Sequence, residues 1–266
     1  MAMLAAAVAL QLVFVHANGR VALERKPGDA TYVLFDKGRE PSRTPDGKRV
    51  YYWTNDGIVW ADVDGGAHGL WRAGNLRSPR VSPDGTQLIW GEMVGGQWAV
   101  MRSPIDNKNG RVAPALVYRG RDGVYQPMWL PDGRGIIVHD LDNVYWVALD
   151  GKVTRTMATH ELAPEGGSSS AERYAVCPTD DKRLVYSVEV GEDESALWLY
   201  DLTTKKRTRL TPAGVLAMDP SWSRDGRFVY FRGWRKGKAP LRDGVLRIGV
   251  DGSGLQRVTP GSEPSS

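Results

Sequence analysis

Ser78-Pro79-Arg80-Val81-Ser82-Pro83-Asp84-Gly85-Thr86-Gln87-Leu88-Ile89-Trp90 is a short polar strand, a proline, Asp-Gly and then an apolar run. The pattern returns as EPSRTPDGKRVYYW from Glu40, QPMWLPDGRGIIV from Gln126 and DPSWSRDGRFVYF from Asp219. A fifth copy, AVCPTDDKRLVYS from Ala175, has lost the glycine. Asp-Gly tolerates the positive φ of a tight hairpin turn, and the aspartate can cap nearby amides. The β-branched and aromatic residues that follow suit a pleated sheet. The turn aspartates Asp46, Asp84, Asp132, Asp180 and Asp225 lie 38, 48, 48 and 45 residues apart, close to the period of a four-stranded propeller blade.

A further strand in each unit carries Trp60, Trp98, Trp146 or Trp198, with Arg247 in the last. A second Asp-Gly follows at Asp64, Asp150 and Asp251. Each unit is therefore a four-stranded antiparallel meander, and the matching tryptophan registers point to packing between blades. The reading is an all-β, six-bladed β-propeller in one domain, with blades at about 11–36 plus a C-terminal strand, 40–72, 78–118, 125–158, 172–211 and 217–260. The first blade lacks its first strand. Gly261-Ser262-Glu263-Pro264-Ser265 repeats the lead-in Gly38-Arg39-Glu40-Pro41-Ser42 and supplies a closing strand, with Ala5 to Leu10 as the competing source.

These turn repeats, and the junction Arg257-Val258-Thr259-Pro260-Gly261-Ser262-Glu263-Pro264-Ser265, resemble the WD40-like repeats of the TolB-type six-bladed propellers. They are also similar to the propeller halves of prolyl-oligopeptidase-like and dipeptidyl-peptidase-like enzymes. Resemblance to TolB would imply an α/β domain ahead of the propeller; this chain has no room for one and reads as a stand-alone propeller. It also implies a non-enzymatic module that binds a peptide or protein partner through its loop rim and channel mouth.

Composition restricts the chemistry. The 266 residues are 41% hydrophobic and 25% charged, and the net charge of +4 does not indicate nucleic acid. The single cysteine, Cys177, forbids an internal disulfide and a cysteine metal site, and its inner-strand position suits a buried inert thiol. Met1 to Ala17 is signal-like, pointing to periplasmic or exported protein, though no Lys or Arg precedes the apolar run. If that segment is structural, a cytoplasmic location follows. The run is too short for a stable membrane insertion.

No G-x-S-x-G elbow occurs. His139, Asp140 and Asp142 form a weak candidate for a divalent cation, with an ordinary polar hairpin as the alternative. No cofactor is expected, and a monomer is.

Two regions remain as binding candidates. The loop Gly233 to Asp243 carries Trp234 with Arg235, Lys236, Lys238 and Arg242, an anchor for an acidic partner unless it pairs with the neighbouring blade's Glu189, Glu192, Asp193 and Glu194. The first strands place Arg43, Arg80, Gln126, Arg173 and Asp219 toward the channel, a mostly cationic lining that suits a carboxylate or a peptide C-terminus. The competing reading is a lyase-like or lactonase-like propeller enzyme, with a metal or small substrate in the channel.

Overall fold

The Asp-Gly turns close as their chemistry requires. In blade II the Gly47 amide donates to the Thr44 carbonyl at 2.9 Å, with Gly47 at φ 73°. The Asp46 carboxylate accepts from the Thr44 hydroxyl at 2.6 Å and the Lys48 amide at 3.0 Å. Ser82 with Asp84 and Ser223 with Asp225 repeat the arrangement. The fifth turn is one residue longer, running from Cys177 to Arg183, and its Asp180 accepts from the Lys182 and Arg183 amides. No residue of that longer turn has a positive φ, so it closes without the conformation that favours glycine.

The computed structural model describes residues 12–24, 32–107, 112–162, 174–191, 194–235 and 243–265. Six four-stranded antiparallel sheets form the ring. Their inner strands, blades I to VI in order, are Ser262–Ser265, Arg39–Arg43, Leu76–Val81, Tyr125–Trp129, Tyr174–Val176 and Val215–Trp222. In blade I the C-terminal strand lies against Leu12–Val15, with Val13 opposite Ser265 and Val15 opposite Ser262. Of the two sources considered for the closing strand, the repeated Glu-Pro-Ser segment is the one used; Ala5 to Leu10 lie outside the described residues.

Six buried clusters hold the ring, each drawn from two neighbouring blades. Phe14 of blade I packs with Tyr230 of blade VI, Val13 with Tyr52 of blade II, Tyr51 with Trp90 of blade III, Ile89 with Ile136 of blade IV, Trp146 with Tyr186 of blade V, and Val185 with Phe231 of blade VI. Of the tryptophans in matching register, Trp60, Trp146 and Trp198 belong to these junctions. Trp98 instead lies under Arg77 of its own blade, 4.7 Å from the guanidinium. Cys177 is fully buried beside Thr179 and Arg183.

Candidate functional site: the central channel

Each inner strand but that of blade V carries an X-Pro pair whose first residue has a positive φ: Glu40, Ser78, Gln126, Asp219 and Glu263, all between 49° and 52°. A residue before proline ordinarily stays extended, and a non-glycine at positive φ costs roughly 1–3 kcal/mol. At four of the five, the register skips two residues, from Arg39 to Ser42, Arg77 to Arg80, Tyr125 to Met128 and Met218 to Ser221. The pairs are thus β-bulges, which re-aim the side chains of the inner strand.

Carboxylates from one bulge hold the next. Glu263 accepts the Glu40 amide at 2.7 Å. Glu40, only 6% exposed, accepts the Ser78 amide at 3.2 Å, the Ser78 hydroxyl at 2.8 Å and the Trp53 indole at 2.7 Å, and lies 3.9 Å from Arg80. A buried carboxylate with that many donors is stabilised in place rather than left as an isolated charge.

Below the bulges, toward the Asp-Gly turns, a cavity of about 390 Å³ occupies the axis. Arg43, Val81, Trp129, Val176 and Trp222 stand at one register of successive blades, and Pro45, Pro83, Pro131, Pro178 and Arg224 at the register of the mouth. The indoles tie blades together: Trp129 donates to the Arg80 carbonyl at 2.9 Å and Trp222 to the Ala175 carbonyl at 2.8 Å. Arg224 departs from the proline pattern. Its guanidinium reaches from blade VI to blade II, donating to the Pro45 carbonyl at 2.8 Å and the Thr44 carbonyl at 3.1 Å. Burial, and then the repulsion of Arg224, bring Arg43 down from the usual guanidinium range to about 10. Burial lowers Arg224 as well, while Asp46 opposes the shift in both.

Of the residues expected to face the channel, Arg43, Arg80, Gln126 and Asp219 line this cavity; Arg173 lies outside the described residues. The lining is not mostly cationic, however, because Glu40 and Glu263 join Asp219 there. Arg224, Glu40 and Glu263 were not anticipated. The recurring X-Pro and the arginine in place of a turn proline are the signals that mark them.

The basic loop is corrected in part. Trp234 belongs to the strand Phe228–Arg235, opposite Leu216, half-buried and 5.8 Å from the Arg232 guanidinium, so it stands on a strand and not in the loop. The backbone of Arg235 pairs with Val215; Lys236, Lys238 and Arg242 lie outside the described residues. Glu194 pairs within its own blade, with Arg209 at 2.7 Å. The far end of Phe228–Arg235 stands an eight-residue strand away from the end that meets the Asp-Gly turn and the cavity mouth, roughly 25 Å in length.

Asp140 accepts from the Asp142 and Asn143 amides and from the Tyr145 hydroxyl, the bonding of a hairpin turn. His139 is buried, its ring 5.2 Å from Tyr174 and 6.2 Å from Tyr125. Among the described residues, no three His, Cys, Asp or Glu side chains are grouped to hold a metal.

Neither a family model nor a curated protein matches the chain. Solved structures match its fold. TolB from Acinetobacter baumannii superposes with a TM-score of 0.71 at 17% identity, over 96% of this chain and 65% of that one. The fold is that of the TolB-type propellers. A putative TolB from Agrobacterium tumefaciens gives 0.69 at 15% identity, over 95% and 90% of the two chains. The same ring is also similar to an oligogalacturonate lyase in complex with manganese, at 0.57 and 14% identity over 91% and 70%. The protein spans 65% of the A. baumannii TolB, and these likenesses concern its TolB-like propeller as a fold. Among the described residues no helix is long and apolar enough to cross a membrane.

Proposed function

We propose that this TolB-like propeller is a binding module, exported to the periplasm, that receives a segment of a peptide or protein partner in the mouth of its channel. The observation that carries the reading is the composition of the cavity: prolines and Arg224 at its mouth, indoles and Arg43 at the next register, and the Glu40 and Glu263 carboxylates above them already engaged by the protein's own donors. Flat apolar walls with a few fixed polar groups suit recognition of a chain segment. An enzyme of the lyase type draws support only from likeness of fold.

Val81→Trp is the direct test. Trp129 and Trp222 already occupy the equivalent register in blades IV and VI, so an indole at Val81 fills the cavity in a way the ring accommodates elsewhere. Partners captured from an exported fraction by wild type and lost by a folded Val81→Trp variant support the reading; unchanged recovery overturns it. Stoichiometric divalent metal in the purified protein would favour the enzyme instead.

A further inference from the structure

From the placement of Arg43 and Arg224 we infer that the Asp-Gly-turn mouth of the channel is a carboxylate subsite, which takes the free C-terminus of a peptide segment entering the cavity. The inference rests on the binding reading above and assigns it a chemical class.

The two guanidiniums come from blades II and VI, with the closing strand of blade I between those blades, and both line the cavity. Arg224 is fixed by two of its five donors on uncharged carbonyls, those of Thr44 and Pro45. Arg224 is exposed at the mouth and its positive charge is felt by the half-buried Arg43, so an anion bound beside both relieves that repulsion. Planar guanidiniums match a carboxylate's two oxygens. The nearby Asp46 carboxylate is tied to the Thr44 hydroxyl and the Lys48 amide at the surface of its turn.

The charge is layered along the axis. Glu40 stands three residues from Arg43 on the same strand, about 10 Å away, and Glu263 and Asp219 lie on the cavity at the register of Glu40. Arg80, 3.9 Å from Glu40, offsets one of these three carboxylates, and the remaining negative charge favours an anion at the mouth over one further in. Trp222, two residues from Arg224, and Trp129 across the ring supply the aromatic part of the lining for the side chain that precedes a terminal carboxylate.

The probes are N-acetyl-Ala-Ala-Phe as the free acid, the same peptide as its C-terminal amide, and succinate. Binding is read by calorimetry and by the fluorescence of the cavity indoles. The free acid is expected to bind at least about tenfold more tightly than the amide, the factor associated with losing a charged hydrogen bond, and more tightly than succinate. Arg43→Gln, checked for an unchanged unfolding transition, should remove that preference. Equal affinity for acid and amide, an intact preference in folded Arg43→Gln, or tighter binding of succinate than of the peptide each overturns the inference. Failure of wild type to bind the acid overturns it too. The binding reading fails separately, when Val81→Trp leaves partner capture unchanged.

Discussion

The Arg224 guanidinium donates to the Pro45 carbonyl at 2.8 Å, joining two residues 179 positions apart across the closing blade of the ring. With the bond to Thr44 it fixes the blade II turn from the far side of that closure. Arg224→Met should lower stability by about 1 kcal/mol, the net worth of two partly exposed hydrogen bonds. Urea unfolding gives the magnitude, and hydrogen exchange should show faster opening between Thr44 and Arg49. An unchanged exchange rate there would show the strap to be idle.

The closing strand makes a second test. Deleting 261–266 removes the pairing with Leu12–Val15 and the Glu263 acceptor for the Glu40 amide. Each blade packs chiefly on its neighbours, so the effect should be regional. Faster exchange at residues 12–24, with protection retained in blades III to V, is the expected pattern. Uniform loss of protection would mean that the ring unfolds as one unit.

Two glycines separate strain from collision. Gly133 has φ 69°, and a Cβ there would meet only Pro83, at 4.0 Å; Gly133→Ala should cost roughly 1–3 kcal/mol, the price of the backbone conformation alone. Gly261 has φ 143°, and its Cβ would fall 2.5 Å from the Phe14 ring and the Val15 carbonyl. Gly261→Ala should therefore cost more, with its damage concentrated at the blade I closure. Equal melting temperatures for the two variants would refute the distinction.

Acid should weaken the turns in a defined window. The Thr44 hydroxyl and the Lys48 amide hold Asp46 below its ordinary value of 3.8, and the Ser82 hydroxyl and Thr86 amide do the same for Asp84. A carboxylate depressed in the folded state stabilises fully above its unfolded value, and that contribution is lost as pH falls through the folded one. The contribution should thus hold above about pH 4 and decline below it. Asp84→Asn should flatten the acid limb of a stability profile, which chemical unfolding from pH 2 to 6 would measure.

The architecture was legible because its determinants are local. Asp-Gly sets a turn within six residues, and Glu263-Pro264-Ser265 copies Glu40-Pro41-Ser42 closely enough to identify its place in the ring. Arg43, Arg80, Gln126 and Asp219 followed from the same repeat. Trp234 was misplaced because Gly233 reads as a strand breaker. In the structure Gly233 lies within the strand, at a place where a Cβ would come within 2.7 Å of the Leu216 carbonyl and 2.8 Å of the Phe231 ring. Close approach, not a turn, requires it. Arg224 was missed because its partners lie 179 and 180 positions away. The bulges were missed because proline ordinarily keeps its predecessor extended, whereas at Glu263 and Glu40 the following blade's amide is bonded to the bulge side chain.

Among the described residues the greasy joints lie between blades, and each is made by two neighbours. The axial register of Arg43, Val81, Trp129, Val176 and Trp222 draws on those joints, since Trp129, Val176 and Trp222 belong to them. Exchanging one guest for another at those positions therefore also reshapes a joint, so the lining and the closure of the ring are bound to change together.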